Sequence, residues 1–217
     1  MNWRYERKFI LKDYEYSKFS FFLKKSNFLK QYEDRMVNTV YLDSIDFDNY
    51  TQNIEGHSRR IKYRVRWYNE LKNSEVFFEK KKKYNNLNYK EIFSLGYFKS
   101  EYEIFNYLSK MQFQKIFFIP NSLKPVLKIQ YQREYWKNEF NIRSTLDYDV
   151  KVFPWKSINE LEHSAFLFNR SILEVKYSNR EDNFIRKNIF NKYFNFILSK
   201  SSKYTQGVRI LNTNGYC

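Results

Sequence analysis

Polar and apolar residues alternate along several short stretches of the chain. The stretch "KYRVRWY", residues 62–68, places Lys62, Arg64 and Arg66 at every second position, with Tyr63, Val65 and Trp67 between them. Alternate side chains of a β-strand share a face, so this pattern predicts a strand with one cationic and one apolar face. The same period appears in "WRYERKFIL" (3–11), "EVFFEKKKKY" (75–84), "KPVLKIQYQREYW" (124–136), "EFNIRSTLDYDV" (139–150) and "RSILEVKYS" (170–178). "MVNTVYLD" (36–43) is β-branched and aromatic and reads as a further strand. Lys72, Asn73 and Ser74 join two of the strands in a hairpin, and a second hairpin turns near Lys137 and Asn138. Apolar positions at helical spacing predict helices over 14–25, behind Asp13 as N-cap, over 99–111, and over 181–200. The tail 201–211 is left without an element. Strands outnumber helices, which leaves an open sheet, a sandwich or a closed barrel.

Composition adds a sign. Lys and Arg number 39 against 24 Asp and Glu, a net charge of +15. A polyanionic partner would fit. A bias toward AT-rich codons would also raise Lys alongside Phe and Tyr, so placement of charge carries more weight than its total. No Pro/Gly/Ser-rich linker interrupts the chain, and one domain over residues 1–217 is the simplest expectation. The one cysteine, Cys217, is terminal, so no intrachain disulfide forms. Apolar runs such as "FSFFL" are too short to span a bilayer, and the N-terminus is charged where a secretion signal is apolar. The expected location is the cytoplasm, with the inner face of a membrane as the alternative and a membrane-protein partner left open. Gly56, Gly96, Gly207 and Gly215 lie too far apart for a P-loop or dinucleotide fingerprint.

The charged faces form a set. Glu6 shares a face with Lys8, Glu79 with Lys81, and Glu174 with Lys176; Arg133 sits within an aromatic strand, and Arg143 shares a face with Thr145 and Asp147. Solvated outer faces would account for any one of these strands. Across the set, the opposite faces are apolar and need a partner layer. A barrel lumen collecting the charged faces would surround a void with cations, which a polyanion could fill. Nucleic acid is not expected, because the carboxylates would repel it. A divalent metal accounts for them, since carboxylate oxygens hold Mg²⁺ or Mn²⁺ and the metal bridges to phosphate.

The order of these motifs resembles the VTC domain, the polyphosphate polymerase branch of the triphosphate tunnel metalloenzymes related to CYTH proteins. The matching pieces are "YERKF", "VYLDSIDFDNY", "YRVRWY", "FFEKK", "QREYW", "IRSTLD", "ILEVK" and "KSSKYTQGV", in family order over nearly the whole chain. The resemblance implies an α+β fold: an eight-stranded antiparallel β-barrel, the triphosphate tunnel, with flanking helices. It implies transfer of the ATP γ-phosphoryl group to polyphosphate with Mn²⁺ or Mg²⁺. Carried over by motif, Lys8, Arg64, Arg66, Lys81, Arg133, Arg143, Lys200 and Lys203 would grip phosphates. Lys90 would add a substrate contact from a loop, and strand parity adds Lys62 and Lys176. Glu174 would be the principal metal ligand, with Glu6 and Glu79 as further carboxylates. Where the wider CYTH group begins E-x-E-x-K, this chain has Arg4 at the first position, which leaves Glu6 either a ligand or a salt-bridge partner of a lumen arginine. A triphosphatase, with water oriented by Glu6 or Glu79, and a non-catalytic polyphosphate-binding subunit are the alternatives. His57 and His163 lie in no motif.

Overall fold

The computed structural model describes residues 4–12, 16–155, 165–168, 170–178, 182–187, 198–199 and 202–216. Among the described residues, ten strands form one antiparallel sheet: β1 (Arg4–Leu11), β2 (Leu29–Asp43), β3 (Arg59–Tyr68), β4 (Glu75–Tyr84), β5 (Leu87–Tyr97), β6 (Lys124–Lys137), β7 (Arg143–Pro154), β8 (Phe166–Phe168), β9 (Ser171–Ser178) and β10 (Leu198–Ser199). Eight of them close on themselves in the order β1–β5–β4–β3–β2–β6–β7–β9 and back to β1, with β8 and β10 as short additions beside β7 and β1. Closure removes the free edges that an open sheet would expose. The helices are α1 (Tyr16–Lys25), α2 (Asp48–Ile54), α3 (Glu101–Ser109), α4 (Met111–Ile116), α5 (Asp182–Ile185) and α6 (Lys203–Thr213). None of the described helices is long and apolar enough to cross a membrane.

The alternation in sequence decides what the ring encloses. The apolar set of each strand points outward and is covered by helices. Phe9, Leu11, Leu173 and Val175 pack under Phe19, Phe22 and Leu23 of α1. Val40, Leu42, Val65, Trp67, Val76 and Phe78 pack under Ile104 and Leu108 of α3 and Phe113 of α4. The polar set is thereby left inside.

One stretch of the inner face is apolar, and a helix covers it from within. Leu127 and Ile129 share the face of Tyr131 and Arg133 on β6 and join Val150 and Val152 of β7. Tyr204, Val208 and Leu211 of α6, at i, i+4 and i+7, pack on them. Gly207 permits the approach: a Cβ there would stand 3.3 Å from methyl carbons of Ile129 and Leu127. The opposite face of α6 presents Thr205, Gln206 and Arg209 to the interior. The tail left unassigned by sequence is therefore a wall of the lumen. The strand β5 also departs from the sequence reading, which put Lys90 in a loop. Within 181–200, α5 is the described helix, and Leu198–Ser199 form strand β10 where the sequence reading expected helix; residues 181, 188–197 and 200 of that predicted helix, and Asp13, lie outside the described residues.

Asp43, at the end of β2, fastens this arrangement. Its wholly buried carboxylate accepts from the backbone N–H of Ser44 (2.8 Å), Asn49 (2.9 Å) and Tyr50 (3.0 Å) and from the Asn49 side chain (3.0 Å). The Tyr204 hydroxyl of α6 donates to its second oxygen. Asp43→Ala would leave these donors buried without an acceptor. We expect a loss of about 3 kcal/mol, read as a lower urea midpoint at unchanged slope. An unchanged midpoint would show that the carboxylate does not hold α2 and α6 to the barrel.

Candidate active site

The ring encloses a cavity of about 1710 Å³. Among the described residues, sixteen Lys and Arg side chains line it against three carboxylates, Glu6, Glu55 and Glu174, so the lumen is strongly cationic. Most of the residues singled out by sequence stand in this lining. Lys8 and Glu6 come from β1, Lys62, Arg64 and Arg66 from β3, Lys81 from β4 and Lys90 from β5. Arg133 comes from β6, Arg143 from β7, Glu174 and Lys176 from β9, and Lys203 from the first turn of α6. Lys200 and His163 lie outside the described residues. His57 is exposed in the α2–β3 connection, at one end of the cavity.

Glu79 stands apart from the lining residues. Sequence parity sends it inward with Lys81, as a candidate metal ligand. The structure places it behind the lining, only 2% exposed. It accepts from Arg64 Nε at 2.5 Å and Lys90 Nζ at 2.9 Å, with Arg66 Nη1 at 3.9 Å. Both oxygens are held by cations. Burial would raise its pKa, but Arg64, Arg66 and Lys90 hold it well below the usual carboxylate range. Asp147, fully buried on β7, does the same work for a second group. Arg133 donates to it from Nε at 2.5 Å and from Nη2 at 2.8 Å, and Lys203 also donates. Against the opposing effect of burial, these partners bring Asp147 down to about 2. The two hidden carboxylates aim five cations at the void.

The two carboxylates of the inner lining differ from this pair. On the β1–β9 ladder, Lys8 faces Glu174 and Glu6 faces Lys176, which makes Glu6 and Glu174 diagonal neighbours on one face. Lys81 donates to Glu6, and Arg4 approaches its other oxygen at 3.4 Å. Glu174 Oε2 pairs with Lys176 at 3.4 Å, whereas its buried Oε1 has no hydrogen-bond partner among the described residues. Burial acts to raise Glu174, and Lys176, Lys8, Lys81 and Arg133 overcome it, holding the group ionised. A buried carboxylate oxygen without a donor suits a cation. One or two carboxylates with phosphate oxygens are the usual donor set for Mg²⁺. Among the described residues no three His, Cys, Asp or Glu side chains gather into an all-protein metal cage.

Several participants were missed from sequence. Arg66 donates to Thr39 Oγ1 and to the Tyr131 hydroxyl, each at 3.1 Å, and Lys62 donates to Ser202 Oγ at 2.8 Å. Thr39 and Tyr131 share inward parity with Tyr41 and Arg133, a signal that period two alone carried. Tyr41 is buried; Arg64, Arg66 and Lys203 outweigh that burial and lower its phenol.

The lysines record the crowding. Burial, then Lys8, Lys81, Arg60 and Arg64, push Lys62 well below its ordinary value. Burial and neighbouring cations bring Lys83 and Lys90 to about 8, and Lys176 to about 7. Lysines with a depressed folded pKa bind fewer protons than in the unfolded chain, so stability rises with pH above the folded value. The unfolding temperature of the anion-free protein should therefore rise from pH 8 to pH 9. Saturating tripolyphosphate should flatten that rise by keeping the lysines charged. A fall over this interval without anion would contradict the crowding.

The sequence matches the family model of the VTC domain over residues 3–212. No curated protein matches it. Solved structures resemble it at low identity. A protein from Pyrococcus horikoshii OT3 superposes with a TM-score of 0.56 at 13% identity, over 95% of this chain and 99% of its own. A Bacillus halodurans protein provisionally named an adenylate cyclase gives 0.57 at 14%, over 95% and 98%. The Hippeastrum protein HpAC1, provisionally an adenylyl cyclase and described with a dominant triphosphatase activity, gives 0.55 at 10%, over 100% and 97%. At these identities the likeness is one of fold, and it agrees with the closed ring described above. With nearly its whole length matched by the family model, the chain belongs to the VTC domain family.

Proposed function

We propose that this VTC domain is a metal-dependent polyphosphate polymerase, moving the γ-phosphoryl group of ATP onto a polyphosphate chain held in the lumen. The observation that carries the reading is the closed cationic cavity whose counter-ions, Glu79 and Asp147, are hidden behind the cations. Such a wall presents positive charge on all sides to a linear polyanion. Arg64 and Arg66, steered by Glu79, Thr39 and Tyr131, grip the reacting phosphates with Arg133 and Lys81. The terminal oxygen of the chain attacks the γ-phosphorus. The bond from that phosphorus to the β–γ bridging oxygen breaks, ADP leaves, and the chain is one phosphate longer. The attacking oxygen is already ionised, so positioning and charge neutralisation supply the catalysis and no strong base is needed. Glu174 would hold Mn²⁺ or Mg²⁺, which neutralises charge on the phosphate oxygens when bound. ATP as substrate fits a cytoplasmic location.

A triphosphatase would use the same lumen with water as acceptor, and the activity described for the Hippeastrum protein keeps that reading in view. Hydrolysis needs a carboxylate placed to orient water. Glu79 is closed off by Arg64 and Lys90, and Glu6 is taken by Lys81 and Arg4. This favours the polymerase.

The purified protein should convert ATP and Mn²⁺ into polyphosphate ladders on a resolving gel, with little free phosphate. Glu174→Gln should lower turnover by about 100-fold or more while triphosphate still binds through the surrounding cations. Free phosphate without ladders would select the triphosphatase, and full turnover in Glu174→Gln would move the metal elsewhere.

A further inference from the structure

Residues 104–133 contain no Asp or Glu. Within them, α4 and the turns on either side of it leave Lys110, Met111, Lys115, Ile116, Phe118 and Lys124 exposed on the outside of the barrel. Met111 is 65%, Ile116 53% and Phe118 90% exposed. None of these side chains lines the cavity.

The backbone puts Phe118 in this position. The N–H of Phe118 donates to the Lys115 carbonyl at 3.3 Å, and that of Ile119 to the Gln114 carbonyl at 3.1 Å. This pair of bonds closes a helix with the residue after its C-cap in the left-handed region, where glycine is usual. Here that residue is phenylalanine, at φ 48°. A bulky side chain is an outlier there, and at such exposure little within the chain offsets it. The turn is nonetheless firmly held. Phe117 packs on Phe78 at 5.0 Å, Phe93 at 5.3 Å and Phe113 at 5.1 Å, and its carbonyl accepts from Lys80. The Gln114 side chain donates to the carbonyls of Asn121 and Leu123. Two successive phenylalanines thus point apart, one into the core and one into solvent.

We propose that this surface docks on an anionic lipid bilayer, with Phe118, Ile116 and Met111 entering the acyl boundary and Lys110, Lys115 and Lys124 among the phosphate headgroups. Interfacial sites pair apolar side chains with lysines in this way, and each lysine near an anionic leaflet adds attraction. Charge selects this occupant: the segment offers three exposed cations and no carboxylate. A second copy would set lysine against lysine on a self-complementary face. Three exposed apolar side chains also fall well short of the area that a stable protein interface buries. The surface lies outside the lumen, so the inference stands or falls apart from the polymerase reading.

The test uses the full chain at physiological ionic strength with vesicles of phosphatidylcholine, with and without phosphatidylserine. The parent should sediment with the phosphatidylserine vesicles and not with phosphatidylcholine alone. Phe118→Gly keeps every charge, yet its vesicle affinity should fall about tenfold or more. Its unfolding temperature should rise, because glycine suits the left-handed backbone, so weaker binding would not reflect a damaged fold. In Phe118→Trp, indole emission should shift to the blue on binding and be quenched by brominated lipid beyond the parent's signal. Equal vesicle binding by Phe118→Gly and the parent overturns the proposal, as does a parent that binds neither vesicle type or both alike. A lowered unfolding temperature in Phe118→Gly would give the ring a structural use and overturn it too. Self-association of the parent without lipid, abolished by Phe118→Gly, would assign the surface to a second copy instead.

Discussion

Cations buried side by side are the constraint on which this structure depends. Each desolvated Arg or Lys repels its neighbours, and a barrel lined with them on seven of its eight strands would not stand without counter-ions. Glu79 and Asp147 meet that need from behind the wall. Between them they hold Arg64, Arg66, Lys90, Arg133 and Lys203 without entering the void. A carboxylate facing the lumen would cancel charge meant for a ligand; one placed behind it stabilises the cation and leaves its outward donors available. Lys62, Lys83 and Lys176 lie outside this scheme, and their pKa values are lowered first by burial and then by repulsion from neighbouring cations. A phosphate chain in the lumen would remove that repulsion.

The rest of the fold keeps those side chains in place. Helices on the outside cover the apolar faces, and α6 covers the apolar part of the inside. The contact of Gly207 with Ile129 and Leu127 sets the depth of α6. Asp43 fixes its first turn through Tyr204, next to Lys203, which reaches Asp147. The path from the end of β2 to the lumen-facing side of β7 thus runs through Asp43, Tyr204, Lys203 and Asp147.

Much of this was legible in the chain. Period-two alternation assigned Lys62, Arg64 and Arg66 inward and Val65 and Trp67 outward, as the structure has them, because one face of each such strand is strictly apolar. The strand β5 escaped notice because "LNYKEIFSLGY" mixes polar and apolar residues on both faces, as its partial exposure on both sides permits. The helix α6 was missed because its apolar stripe is only Tyr204, Val208 and Leu211, interrupted by a glycine whose use is tertiary. Glu79 shows where parity stops. The alternation gives its direction correctly, but the depth at which a side chain ends, in the lumen or behind Arg64, depends on packing that no local pattern encodes.

The central claim is that a phosphate chain occupies the lumen with a metal at Glu174. A crystal structure with tripolyphosphate and Mn²⁺ tests it most directly. The account predicts phosphate density between Arg64, Arg66, Lys81 and Arg133, and an anomalous manganese peak against Glu174 Oε1. An empty lumen with tripolyphosphate bound on the outer surface, or manganese bound away from both Glu174 and Glu6, would contradict it.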